Sequence, residues 1–271
     1  MIPRTFRMLR VELMKLFAHP FFYISVSILL VATALAAWSA AGGGGAFRRP
    51  HAMELFATGA KWGLKLAGYV LVIFGAMLFA GEYDRGTIKV LLTRPVTRTD
   101  VFVAKCLAGL LLGALLIAMV LATAWGVGCA AGELGASWDS EQYVTQFSEA
   151  QLDGHLHKAL RTALLAVLAA CFIGLLISNF VESSGYAVAI ALILYIAVDT
   201  ATVFFQGWQP YWASTYPSYA FDTLKSYAQG SSVSWKPRLH DNHLPVWVPL
   251  WTMAACSGAG FAIFRSRNIT V

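Results

Sequence analysis

Charge is what this sequence has least of. Asp, Glu, Lys and Arg make up 13% of its 271 residues, about half the ~25% of a soluble domain. So few charges cannot clothe a water-facing surface, and no soluble domain of ordinary size fits in the chain. Basic patches interleaved with aromatics are missing too, which leaves nucleic acid no footprint to dock on. The formal charge of +6 collects instead at the ends of apolar runs, where anionic headgroups and a partner at the membrane surface account for it. Cysteine is sparse. Cys106, Cys129, Cys171 and Cys256 lie in or beside apolar runs without CxxC spacing, so they read as small buried side chains and report no redox compartment. The sequence holds no GxSxG, no HExxH and no paired carboxylates within an apolar run. An intramembrane hydrolase therefore has little support.

What is present is hydrophobicity. Apolar residues make up 58% of the chain and mean hydropathy is +0.63, which predicts an all-α polytopic membrane protein. Residues 1–19 set Arg4, Arg7, Arg10 and Lys15 opposite Phe6, Leu9, Leu13, Leu16 and Phe17, the pattern of an amphipathic helix lying in the interface. Six spans follow, at about 21–41, 62–81, 104–131, 160–181, 185–206 and 246–264. The small-residue end of the first resembles a signal peptide, but its apolar stretch exceeds the ~7–15 residues of such a region, so it reads as retained. Gly109 and Gly113 stand in GxxxG spacing, a mark of close packing within the chain. No internal repeat appears, and residues 1–271 read as one transmembrane domain. An even number of spans puts both termini on one side. That side carries eleven of the 20 Lys and Arg, which places it in the cytoplasm by a narrow margin.

Between the second and third spans lies a charged island, GEYDRGTIKVLLTRPVTRTDVFVAK, from Gly81 to Lys105. Ile88, Leu91 and Leu92 recur at i, i+3 and i+4 while Arg85 and Lys89 share another face, predicting a short surface helix. Pro95 breaks it, and Thr97, Thr99 and Asp100 are placed to cap the next helix. A solvated connecting loop is the plain alternative. A nucleotide loop is not, because Gly81 to Thr87 lacks the phosphate-binding lysine and carries Glu82 and Asp84, which repel phosphate.

Glu82, Gly86, Thr87, Ile88, Leu91, Leu92, Pro95, Val96, Thr97, Arg98 and Lys105 stand in an order that resembles the ABC-2-type permeases, the membrane subunits of ATP-driven exporters. Phe264 to Ile269 resembles the basic finish of that family, with Asn268 where an Asp is frequent. The resemblance implies a coupling helix in 82–103 that docks on a cytoplasmic ATPase subunit. Its residues would be Glu82, Gly86, Thr87, Ile88, Leu91, Leu92, Pro95 and Arg98, with Arg85 and Arg94 beside them. It also implies that ATP and Mg belong to that partner, that this chain has no nucleotide site and no catalytic residue, and that a second permease copy completes the pathway, most simply as a homodimer.

Elsewhere the reading stays open. Asp199 is the one carboxylate deep in a span, where an isolated charge is costly. It is expected to face a polar core or pathway, with Lys61 or Lys65 as partner. Residues 207–245 form an outer segment rich in Trp208, Tyr211, Trp212, Tyr216, Tyr219, Tyr227 and Trp235, suited to an interfacial belt, to cargo or to an extracytoplasmic accessory protein. His155 with His157, and His240 with Asp241 and His243, have spacings that fit Zn or Cu, although solvated loops explain them as well. A membrane enzyme or metal-site protein built on these histidines and Asp199 is thus the alternative reading, and a membrane scaffold or immunity protein is a third.

Overall fold

The computed structural model describes residues 4–42, 50–87, 97–133, 149–229 and 243–266. Among these the chain is helical throughout. An N-terminal helix, α1 (Arg4–Ala18), precedes α2 (Pro20–Gly42), α3 (Ala52–Asp84), α4 (Arg98–Ala131), α5 (Glu149–Ser178) and α6 (Ser184–Phe204). A short 3-10 turn (Gln206–Tyr211) leads to α7 (Thr215–Ala228) and then to α8 (Leu244–Ser266). Six of these helices, α2 to α6 and α8, are long and apolar enough to cross a membrane.

Local chemistry sets the helix ends. His51 caps α3, its Nδ1 accepting from the Met53 amide at 3.1 Å. At the other end Gly86 takes φ +66°, a left-handed position that glycine adopts without steric cost and that closes the last turn by donating to the Tyr83 carbonyl. The α4 start is a capping box in which the Thr97 hydroxyl accepts from the Asp100 amide and the Asp100 carboxylate accepts from the Thr97 amide.

At the centre stands α3, packed against α2, α4, α5, α6 and α7. Its crossing with α5 is backbone on backbone. A Cβ added to Gly75 would lie 2.1 Å from the Cys171 carbonyl oxygen, and one on Gly174 would lie 2.1 Å from that of Val72. Both positions therefore exclude a side chain. Gly109 and Gly113 of α4 meet Cys171 and Leu168 of α5, so the GxxxG pair packs within the chain. The outward faces of α2, α6 and α8 carry exposed apolar residues, among them Ile28, Leu35, Trp38, Ile193, Phe204 and Trp251.

Three stretches differ from the reading above. α3 runs over 33 residues, about 50 Å, because Met53, Leu55, Phe56, Ala57 and Ala60 at its start are buried against protein rather than lipid. α5 begins at Glu149, so His155 and His157 sit on a helix and not in a loop; His155 stacks on Tyr227 with centroids 3.7 Å apart. The aromatic segment is no continuous outer loop either. Its α7 turns Tyr216, Phe221, Leu224 and Tyr227 into the bundle, against α3 and α5. Trp208 and Tyr211 remain exposed, while Trp235, His240 and Asp241 lie outside the described residues.

Candidate functional site at the charged end of the bundle

One end of the bundle gathers most of the buried charge. Lys105, in the third turn of α4, is 1% exposed and reaches three oxygens: the Leu78 carbonyl at 2.7 Å, Glu12 Oε2 at 3.1 Å and Glu82 Oε1 at 3.1 Å. Lys15 closes the set from α1, with Nζ 2.9 Å from Glu12 Oε1 and 2.6 Å from Glu82 Oε1. Two ammonium groups and two carboxylates thus alternate, so no buried charge stands alone. Burial by itself would lower the Lys15 pKa, but Glu12 and then Glu82 outweigh it and hold the ammonium above its ordinary value. Glu82 Oε2 is buried with no hydrogen-bond partner among the described residues.

The network ties α1 to the end of α3 and the start of α4, the two helices that bracket residues 88–96. Further bonds secure the same end. Thr5 donates to Asp100 at 3.0 Å and Ser184, opening α6, donates to Asp84 at 2.6 Å. Arg98 donates to the Phe264 and Arg265 carbonyls at 3.2 and 3.0 Å, satisfying the end of α8 with a cation where the helix dipole is negative. Both chain ends, α1 and the finish of α8, therefore share this face.

Of the residues singled out from sequence, Glu82 enters the ion network, Gly86 makes the positive-φ turn, Thr87 donates to the Glu82 carbonyl at 3.4 Å and Arg98 caps α8. Arg85 lies with Nη2 3.5 Å from His19 Nε2. Ile88, Leu91, Leu92, Arg94 and Pro95 lie outside the described residues. Two members of the network, Glu12 and Lys15, escaped notice as site residues. The signal was there: Glu12 falls at i+3 from Leu9 and i−4 from Leu16, a lone carboxylate on an apolar stripe, which demands a buried cation. The α1 face also turns differently from the reading above. Leu9 packs on Ala104 and Ala108, while Phe6 and Phe17 point outward, 60% and 38% exposed, because the Glu12 ion pairs fix the rotation of the helix.

A second polar cluster lies deeper. Asp199 Oδ2 is 3.1 Å from Lys65 Nζ and accepts from the Tyr69 hydroxyl at 3.1 Å, while Oδ1 accepts from Ser214. Lys61 pairs with Asp222 instead, at 2.7 Å, so among the described residues Lys65 is the cation at Asp199. The depth follows from the chain. α3 ends at Asp84 and α6 begins at its partner Ser184, and the Tyr69–Asp199 bond lies fifteen residues from each, about 22 Å along a ~30 Å core. Beside it Lys65, Gly68, Tyr69, Tyr195, Asp199 and Ser214 help line a cavity of about 10 Å³, room for about one water. Among the described residues no group of three His, Cys, Asp or Glu could hold a metal ion.

Six apolar helices around a glycine-packed centre, with one charged end, define a multi-pass α-helical membrane protein. The chain belongs to the ABC-2 family of transporter proteins, matching the family described as "ABC-2 family transporter protein" over residues 8–198. It is also 27% identical over 143 residues to an uncharacterized protein, YhcI, of Bacillus subtilis (strain 168), a match covering 51% of this chain and 46% of that protein. The match thus spans about half the length of this curated relative.

Proposed function

We propose that this chain is the permease subunit of an ATP-driven exporter in a prokaryotic cell membrane, with both termini in the cytoplasm. Hydrolysis takes place on a separate cytoplasmic ATPase subunit that holds ATP and Mg, and a second copy of the permease completes the pathway. The observation that supports this reading best is the charged end itself. A surface segment can transmit force to a bundle only if its flanks are anchored, and those of residues 88–96 are held on one side by Glu82, paired with Lys15 and Lys105, and on the other by the Thr97 capping box. Ile88, Leu91 and Leu92 are the apolar face offered to the ATPase. Asp199 with Lys65 forms the polar core of the pathway, and the exposed Trp208 and Tyr211 offer a surface to cargo or to an extracytoplasmic accessory protein.

The test is Leu91→Asp. An unpaired charge at the centre of an interface typically costs several kcal/mol, so the variant should insert normally yet lose copurification of the ATPase, or retain it with hydrolysis uncoupled from export. Unchanged copurification with unchanged coupled transport would remove the docking role.

A further inference from the structure

Between α1 and the last turns of α3 opens a cleft of about 230 Å³, and its two ends differ in chemistry. Leu16, Phe74 and Met77 line one part, while Lys15, His19 and Arg85 line the other. Phe74 and Arg85 are eleven residues apart on α3 and its cap, about 16 Å along the helix, which is the depth of one leaflet of a ~30 Å core. A cleft about one leaflet deep in all, apolar at one end and cationic at the other, has the polarity of a phospholipid.

The cationic end brings an imidazole and a guanidinium together. His19 Nδ1 accepts from the Phe21 amide at 3.3 Å, so a neutral ring carries its proton on Nε2. That nitrogen faces Arg85 Nη2 at 3.5 Å, and the guanidinium is only ever a donor. In that tautomer both groups can donate to one shared oxygen. Glu12 and the Oε1 oxygen of Glu82 are engaged by Lys15 and Lys105, and Asp84 accepts from Ser184. With two ammonium groups balancing two carboxylates in the lining, the charge left at the mouth of the cleft is that of Arg85. A phosphate oxygen meets both demands, charge and acceptor geometry.

We propose that this cleft binds one anionic phospholipid, its phosphate between Arg85 and His19 and the start of an acyl chain along Leu16, Phe74 and Met77. Residues between helices at a membrane surface that combine a basic pocket with an apolar trough are suited to such headgroups. The inference leans on the proposed orientation only for which leaflet supplies the lipid, and the site lies beside the segment proposed to dock the ATPase. Lipid binding there would brace α1 against α3 at the base of that segment.

The experiment uses the full chain in detergent without any ATPase, so its outcome is independent of the docking role. Phosphatidylglycerol or phosphatidylcholine is added and retention is read by native mass spectrometry under increasing collisional activation. One phosphatidylglycerol per chain should persist under conditions that strip phosphatidylcholine. Arg85→Gln, at an exposed position, should weaken that retention at least tenfold. Met77→Trp, which fills the trough and leaves every cation in place, should also lose the lipid. Excess inorganic phosphate should not displace it. Equal retention of both lipids, an Arg85→Gln chain that holds phosphatidylglycerol like the parent, or displacement by inorganic phosphate would each overturn the proposal, the last by showing a simple anion site.

Discussion

The two buried polar clusters solve the same problem in opposite ways. At the charged end Lys105 is 1% exposed and its three acceptors leave the ammonium fully used, with Lys15 balancing the second carboxylate. At Asp199 there is a single ion pair whose side chains are 35% and 13% exposed, completed by the hydroxyls of Tyr69 and Ser214 beside a cavity with room for about one water. The first arrangement has no freedom to rearrange without stranding a charge, and it joins three helices rigidly. The second can exchange one donor for water at small cost. In the role proposed above, a permease that moves cargo past its bundle while holding its coupling end fixed has use for both, and the difference predicts how each cluster responds to substitution.

Lys105→Met gives the largest expected effect. It keeps the length of the side chain but leaves Glu12 and Glu82 facing each other with one cation between them, and removal of one partner from a buried ion pair costs about 3–5 kcal/mol. The variant should show a much lower apparent melting temperature in detergent, or fail to accumulate in the membrane. Adding Glu12→Gln should recover a large part of the loss, because the stranded charge is then gone. If the double variant is as unstable as the single one, the cost lies in packing around residue 105 and not in charge balance.

Asp199→Asn should do less. The amide keeps one oxygen that accepts from Tyr69 or Ser214, and the other hydroxyl can turn to accept from its NH2, while the carboxylate charge is lost; Lys65, already one-third exposed, can turn toward headgroups. Thermal stability should fall by on the order of 1 kcal/mol, as for one charged hydrogen bond in a partly wet site. Transport discriminates the role. Loss of export with normal assembly and ATP hydrolysis identifies a charge-dependent pathway, whereas retained export assigns Asp199 to holding α6 on α3 and α7.

The helix inventory was legible because hydropathy reports membrane solvent directly, and Thr97 with Asp100 marks the start of α4 by the rules of helix capping. Helix lengths were less so. Met53 to Ala60 and Tyr216 to Tyr227 are apolar toward other helices rather than toward lipid, and composition alone does not distinguish those two solvents. Side-chain partnership was the least legible. That Asp199 needs a cation follows from its depth, but choosing Lys65 over Lys61 requires the rotation of α3. The Glu12–Lys105 contact joins residues 93 positions apart, a distance over which periodicity carries no information.

The smallest expected effect tests whether burial is what separates these pairs. Lys61 and Asp222 meet at 2.7 and 2.8 Å, closer than Lys65 and Asp199, so distance alone would rank the Lys61 pair as the stronger. Exposure ranks it the other way. Asp222 is 52% exposed, and Lys61 lies 23 residues from Asp84 on α3, about 34 Å along the helix, past the end of a ~30 Å hydrocarbon core. In that wetter setting ion pairs contribute about 0.2–1 kcal/mol and are screened by salt. Lys61→Gln should therefore shift the melting temperature only slightly, and the shift should shrink further between about 0.05 M and 0.5 M salt. Lys65→Gln, measured alongside, should cost more and respond less to salt. A Lys61→Gln variant as damaging as Lys65→Gln, at either salt concentration, would show that contact geometry and not solvent exposure sets the strength of these pairs.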